Sequence, residues 1–436
     1  MKMKITAVGG YNAVGRNMTG VTVGGETIAV DNGLRLDTLQ LYDTESYEMR
    51  KFKLDELVRM KIIPDHKMLD NVIAQVVSHG HLDHVGGTMF TKPKVPIITT
   101  PYAAEIGRKE YKEGDFYARG YGDPFDVKSR SNQELRVELI EITHSIPHTS
   151  IPVLYTPEGI VVYANDFKLD NHSKIAAPDY HRLKQIGKEG VKAFIVESVR
   201  AGETGKTPSE MVARANVKDV FESIADSKGL IISTTFSSHI ERIQAILDMA
   251  EYMGRVPVIL GRSLHFQVQL AKRFGLLEIP PHAEIFANAK AVGNALKKID
   301  KGRREDYLLL VTGHQGEQKS VLCRMADSKF PFGFRKKDNI VFCTEVIPNP
   351  VNETNRYVLE RKLKSFGVRI FRDIHVSGHA SKEDHRRLLN LLKPERIIPA
   401  HGGIEMRANY ANLASEEGYE INKNVHLLDN GSSIEI

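Results

Sequence analysis

Apolar positions fall in short blocks along this chain, and the spacing of the polar residues between the blocks changes twice. Over roughly the first 190 residues, blocks such as 28–30, 72–77, 136–142 and 159–164 each stop at a polar turn, which predicts short strands joined by turns and helices. From about 195 to 365 a different rhythm holds. Apolar strands at 193–196, 229–234, 257–260, 307–312 and 339–343 alternate with helical patterns at 208–226, 240–253 and 263–274. Strands separated by helices in this way predict a parallel, doubly wound sheet. The apolar pair Ile397-Ile398, helices at 382–392 and 404–417 and a strand at 424–428 complete the reading.

Composition narrows the class without choosing a function. The 436 residues are enough for two or three domains, and 41% hydrophobic with 26% charged residues is ordinary for a folded soluble chain. The start, Met1-Lys2-Met3-Lys4-Ile5, leads straight into a strand without the layout of a signal peptide, and no run approaches the ~20 apolar residues of a membrane span. The cytoplasm is the expected compartment, with no membrane partner. Cys323 and Cys343 lack metal-site spacing and read as buried thiols. A net charge of +5 permits a nucleic-acid partner without requiring one. The basic clusters Lys297-Lys298, 301–304 and Arg335-Lys336-Lys337 suit either a strand-binding groove or a solvated face.

Chemistry concentrates in Ser78-His79-Gly80-His81-Leu82-Asp83-His84, directly after the apolar run 72–77. A tight turn leaving a strand can aim His79 and His81 at one cation, with Asp83 and His84 reaching a second beside it. Two adjacent zinc ions suit these donors, and manganese also accepts a nitrogen and oxygen set. Elsewhere, the turns Phe236-Ser237-Ser238-His239, Gly261-Arg262-Ser263 and Ser377-Gly378 combine exposed backbone, hydroxyls and an Arg, the ingredients of a phosphate site. Ser237, Ser238 and Ser263 equally suit helix caps.

The histidine-rich segment resembles the HxHxDH signature of the metallo-β-lactamase superfamily. That resemblance implies three further ligands, for which the candidates are His144, Asp166 and His401, each following an apolar run. His79, His81 and His144 would then hold one zinc, Asp83, His84 and His401 the other, and Asp166 would bridge them. Asp31 matches the superfamily's first motif and would hold metal-bound imidazoles by hydrogen bonds, although Asp31-Asn32-Gly33 by itself reads as a turn. His401 follows Asp166 by more than two hundred positions, so the chain must leave the metal domain and return to it. The expected division is 1–192 and 367–436 for that domain and 193–366 for the insert.

Glu197, after the first strand assigned to the insert, and His379 in His375-Val376-Ser377-Gly378-His379-Ala380 resemble motifs A and B of the β-CASP group, with His401 as motif C. Within that group the phrases Thr143-His144-Ser145-Ile146-Pro147, Gly261-Arg262-Ser263, Thr312-Gly313-His314-Gln315-Gly316-Glu317 and 375–380 are similar to the ribonuclease J family. The resemblance implies an α/β fold, a metallo-β-lactamase αββα sandwich carrying a doubly wound β-CASP insert. It also implies zinc-dependent 5′-to-3′ hydrolysis of single-stranded RNA with preference for 5′-monophosphate ends, internal cleavage being the alternative. His379 would protonate or stabilise the leaving oxygen, Glu197 would orient it, and Asp83 joins them as a catalytic candidate. Ser237, Ser238, His239, Arg262, Ser263, His375, Ser377 and Gly378 are the substrate-binding candidates. Two departures stand out. The sequence stops at Ile436, whereas bacterial members continue into a domain that supports dimerisation; this looks archaeal-like, and a homodimer stays open. His148 occupies a position typically acidic in bacterial members, either beside the site or on the surface.

Overall fold

The computed structural model describes residues 2–41, 46–347 and 349–436, and the chain divides into two compact units. The first comprises Met1–Asn171, Ala176–Thr207 and Ser377–Ile436. It contains a seven-stranded sheet with spatial order Ser433–Glu435, Lys4–Gly9, Met18–Val23, Glu26–Val30, Val72–Val77, Ile97–Thr99, Phe116–Ala118. Its six-stranded companion has the order Arg396–Ala400, Val191–Glu197, Gly159–Ala164, Ser150–Thr156, Leu135–Glu141, Phe125–Val127.

Side-chain alternation shows how these sheets layer. Val161, Tyr163, Ala193, Ile195 and Ile398 of the six-stranded sheet share one core with Ile5, Val21, Val30 and Val76 of the seven-stranded one. The intervening Val162, Ala164, Phe194, Val196 and Ile397 point the other way and meet Leu183, Leu388, Leu392 and Tyr410, from the helices Tyr180–Glu189, Lys382–Leu392 and Ile404–Glu416. A strand covered on both faces needs an apolar residue at nearly every position, which is why 160–164 and 193–196 are continuous apolar runs. Each large side chain buried in this way contributes about 1.5–3 kcal/mol. On the outside of the seven-stranded sheet, Val8, Met18, Ala29 and Leu69 form a smaller cluster. The αββα layering follows from this two-sided burial.

The second unit comprises His172–Ile175 and Pro208–Val376. Its six strands are all parallel, in the order Glu284–Phe286, Val256–Leu260, Tyr307–Val311, Ile231–Thr234, Asn339–Phe342, Arg369–Phe371. One face packs Ile232, Val258, Leu309 and Ile340 against Val292, Leu296, Leu359 and Leu363 of flanking helices. Ile231, Ile259, Leu310 and Val341 alternate with these and are also fully buried, so helices are needed on both faces, the doubly wound arrangement.

Three expectations are corrected. The run 193–196, assigned to the insert, lies in the first unit, where it pairs in parallel with Gly159–Ala164 and Arg396–Ala400. The seams therefore fall at 207/208 and 376/377 rather than at 192/193 and 366/367. An apolar run buried on both faces reads identically in either parallel sheet, so sequence could not assign it. Residues 424–428 form no extended strand; Val425 makes only isolated bridges to Ile397 and Ile421. The strands Glu284–Phe286 and Arg369–Phe371 were missed because three residues are too few to show a period. Both cysteines are buried free thiols, and among the described residues no helix is long and apolar enough to cross a membrane.

Candidate metal centre

The topology of the first unit sends its chemistry to one edge. Gly159–Ala164, Val191–Glu197 and Arg396–Ala400 are mutually parallel. Leu135–Glu141 runs in the same sense because one antiparallel strand separates it from Gly159–Ala164. Their C-terminal ends carry His144, Asp166, Glu197 and His401. In the other sheet, Glu26–Val30 and Val72–Val77 are parallel and lead into Asp31 and the 79–84 segment.

Two overlapping donor groups result, His79, His81, His144 and Asp166, and Asp83, His84, Asp166 and His401, each with ligand atoms within 4.8 Å of one another. In the first, His81 Nδ1 lies 3.2 Å from both His79 Nε2 and His144 Nε2. Those two Nε2 atoms are each 3.6 Å from Asp166 Oδ2. In the second, His84 Nε2 is 3.2 Å from Asp166 Oδ2 and 3.6 Å from Asp83 Oδ2, and His401 Nε2 is 3.2 Å from Asp166 Oδ1. Asp166 Oδ2 thus faces His79 and His144 of the first group and His84 of the second, while Oδ1 faces His401.

The donor chemistry fits cations. Ring nitrogens this close cannot all point hydrogens at one another, whereas lone pairs converging on a positive ion are satisfied together. Asp166 Oδ1 is buried and accepts no hydrogen bond among the described residues, which is costly for a carboxylate without a cation. Burial pushes His79, His144 and His401 below the ordinary imidazole range, toward the neutral form that a metal requires. His84 moves the other way: burial opposes its charge, but Asp166, Asp31 and Asp83 outweigh that. The carboxyl of Asp166 lies well below its usual value, the surrounding imidazoles His401 and His84 overcoming burial. Backbone strain collects here too. Asp31, Asp166 and His401 have φ of +58°, +61° and +50°, a left-handed conformation costing about 1–3 kcal/mol at a non-glycine residue and sustained where the surroundings over-determine it. At Gly33 a Cβ would sit 1.5 Å from the Asp83 carbonyl oxygen, so only glycine allows that close approach.

Four of the five imidazoles are also gripped from behind. His84 Nδ1 is 2.7 Å from Asp31 Oδ2, while the Ser78 N–H donates to Asp31 Oδ1 at 2.8 Å. His79 Nδ1 lies 3.0 Å from Ser78 Oγ, and His144 Nδ1 lies 2.7 Å from the Gly378 carbonyl oxygen. His401 Nδ1 is 2.8 Å from Asn17 Oδ1. Such outer contacts select the tautomer that turns the other nitrogen to the metal. Asn17 and the Gly378 carbonyl were missed from sequence: Asn17 sits in an unremarkable loop, and a backbone carbonyl leaves no mark in a residue pattern.

Beside the two groups, His379 Nδ1 is 2.9 Å from Glu197 Oε2. The Phe167 and Ala380 N–H groups donate to Glu197 Oε1 at 3.2 and 3.4 Å. Glu197 is fully buried and the His379 side chain is 23% exposed. Burial lowers the His379 pKa, but the charges of Glu197 and Asp166 more than reverse this and raise it to about 9. Its ring stacks 5.7 Å from that of His401 and lies 5.3 Å from that of His144.

The substrate-binding candidates are more dispersed. Ser377 and Gly378 belong to the first unit, whereas Ser237, Ser238, Arg262, Ser263 and His375 belong to the second. In the second unit, 237–238 follow the strand Ile231–Thr234 and 262–263 follow Val256–Leu260, both at the C-terminal edge of the parallel sheet, the usual ligand edge of this architecture. The N-caps of the two helices are His239 and Gly261, neither with a side-chain cap hydrogen bond. His239, in the second unit, is buried at 3% exposure, and its Nε2 lies 3.3 Å from Glu210 Oε2. His148 accepts at Nδ1 from the Tyr102 N–H at 3.4 Å, in the first turn of Pro101–Glu110.

Comparison with known proteins adds the following. Residues 228–360 match the model of the ribonuclease J beta-CASP domain, and 368–427 match that of the Zn-dependent metallo-hydrolase RNA specificity domain. A ribonuclease J of Methanocaldococcus jannaschii is 45% identical, over 100% of this chain and 99% of the relative. That of Pyrococcus abyssi is 44% identical over 100% and 97%. The Helicobacter pylori ribonuclease J is 28% identical, over 100% of this chain but 61% of its own length. A crystal structure of a protein of unknown function from Enterococcus faecalis V583 superimposes with a TM-score of 0.64 at 15% identity, covering 100% of both chains, a likeness of fold.

Proposed function

Since this chain belongs to the ribonuclease J family and is a metal-dependent ribonuclease, we propose that it removes nucleotides from the 5′ end of single-stranded RNA, preferring 5′-monophosphate ends, in cytoplasmic RNA processing and decay. The observation that carries the reading is the Glu197–His379 pair, 2.9 Å apart beside two groups of metal donors.

His79, His81 and His144 would hold one zinc, Asp83, His84 and His401 the other, with Asp166 shared; manganese suits the same donors. When bound, such a pair supplies a water of lowered pKa and neutralises phosphoryl charge. The chain's own residues do the rest. With Nδ1 tied to Glu197, His379 turns Nε2 outward. As the P–O bond breaks, the leaving oxygen takes the proton from Nε2, and Glu197 keeps the imidazolium oriented and charged. The buried Glu197 carboxylate against Nδ1 favours the protonated imidazole. Asp83 acts as a ligand. In the second unit Ser237, Ser238, Arg262, Ser263 and His375 supply hydroxyls, backbone N–H groups and positive charge for the terminal phosphate, and in the first unit Ser377 and Gly378 offer a hydroxyl and a backbone N–H to substrate next to His379 in the chain.

A time course on 5′-labelled monophosphorylated RNA beside the same RNA as a circle tests this. Immediate release of labelled mononucleotide with circles intact is expected. Opened circles and labelled fragments of many lengths would make the enzyme an endonuclease instead and remove the end-binding assignments.

A further inference from the structure

The first turn of the helix Ile240–Tyr252 in the second unit holds the chain at two places that matter to the metal centre. Glu241 accepts from the Ser173 hydroxyl at 2.9 Å (Oε2) and from the Lys174 N–H at 2.7 Å (Oε1). Ser173 Oγ also accepts from the Ile175 N–H at 3.3 Å, closing a local turn. This short segment, His172–Ile175, belongs to the second unit although the flanking chain on both sides belongs to the first. It follows Asp166, the shared carboxylate, by only a few residues.

The next residue holds the return. Arg242 is 0% exposed. Its Nε and Nη2 donate to Glu210 Oε1 and Oε2 at 2.7 and 3.0 Å, and Nη1 donates to the carbonyls of Cys343 and Ile374 at 2.6 and 2.8 Å. Ile374 lies just ahead of His379 in the chain. A bidentate guanidinium with all its bonds charge-assisted or to buried carbonyls is a stiff anchor. One helical turn therefore fixes the chain downstream of Asp166 and upstream of His379. That turn begins directly after Ser237-Ser238-His239, and His239 is itself paired with Glu210.

We propose that Glu241 and Arg242 are positioning residues that couple occupancy of the 237–239 loop to the placement of Asp166 and His379, so that a 5′ phosphate accelerates turnover as well as tightening binding. This rests on the reading that the loop receives the 5′ phosphate. A terminal phosphate seated on 237–239 braces the helix start, and the helix start braces both chain segments. Substrate lacking the phosphate leaves the catalytic groups less well held, a loss expressed in kcat.

The test compares 5′-monophosphate with 5′-hydroxyl RNA in the zinc-loaded full chain, measuring kcat and KM separately for the wild type, Glu241→Gln, Ser173→Ala and the double variant. Glu241→Gln keeps the side chain's size and removes its charge, and Ser173→Ala removes one partner of the same contact, which guards against a folding defect in either. The expected result is that each single variant lowers the monophosphate advantage in kcat by about tenfold, that the double variant loses little more, and that KM for the monophosphate is nearly unchanged. A full kcat advantage retained in both single variants would overturn the coupling while leaving end recognition intact. A wild type with no preference between the two ends would overturn the end-recognition reading itself, and the coupling with it.

Discussion

The two units each bury a cluster of ionisable side chains, and the clusters differ in one respect. In the second unit the Glu210 carboxylate takes both arms of the Arg242 guanidinium and lies beside His239 Nε2, and the remaining guanidinium nitrogen donates to two carbonyls. In the first unit Asp83 and Asp166 stand among five imidazoles with no Lys or Arg within ion-pair distance of either carboxylate among the described residues. A closed cluster is a brace. An open one, with lone pairs converging and a carboxylate oxygen unbonded, is a binding site for something positive.

The sharpest way to break this contrast is to remove the shared ligand. Asp166→Asn should abolish metal uptake by one or both donor groups and cost more activity than the ~10⁴-fold ceiling of a single general acid. Metal analysis together with turnover checks it, and a variant that binds two ions and stays active would refute the ligand set. His379→Ala should lower kcat by about 10²–10⁴-fold with metal content unchanged, which separates proton transfer from coordination. Asp31→Asn should weaken metal affinity by about 10–100-fold, since it grips His84 rather than the ion; a competition titration with a chelator reads this directly.

In the second unit the corresponding cut should cost stability and leave coordination alone. Arg242→Leu strands the Glu210 carboxylate and should destabilise that unit by about 3–5 kcal/mol, seen in denaturant unfolding, with zinc content as in the wild type. The same cluster sets a pH dependence. Burial raises the Glu210 carboxyl, but His239 and Arg242 outweigh it and hold the group well below its ordinary range. A depressed folded pKa means that the unfolded chain binds the proton more readily. The stability this provides is therefore complete above the ordinary Glu range and is lost progressively as pH falls through that range and below. Glu210→Gln should flatten that acid limb, as followed by thermal unfolding between neutral and acid pH.

Much of the metal centre was legible because one turn carries it. His79, His81, Asp83 and His84 are neighbours in sequence, and metal spacing shows in a local window. His144, Asp166 and His401 could be picked out only through the resemblance to the metallo-β-lactamase pattern, each following a strand-like run, and the structure brings all seven residues together. Asn17 could not be seen this way, since its role is fixed by a contact with His401 from the far end of the chain. The pairing of His239 was equally hidden: it stands in a hydroxyl-rich turn, and only the fold brings Glu210 beside it. The strand 193–197 went to the wrong unit because pairing partners, not composition, decide which parallel sheet a wholly apolar strand joins.

By itself, then, the amino-acid order determined the two fold patterns and the chemistry of the 79–84 turn, which rest on short-range periodicity and residue type, while the need for an insert came from the resemblance that makes the distant His401 a ligand. Tertiary structure alone decided where the seams fall, that Asp166 stands within reach of both donor groups, which backbone and amide groups hold the imidazoles from behind, and that one helical turn pins the chain near both Asp166 and His379. Those are contacts between distant residues, and distance in sequence carries no record of direction in space.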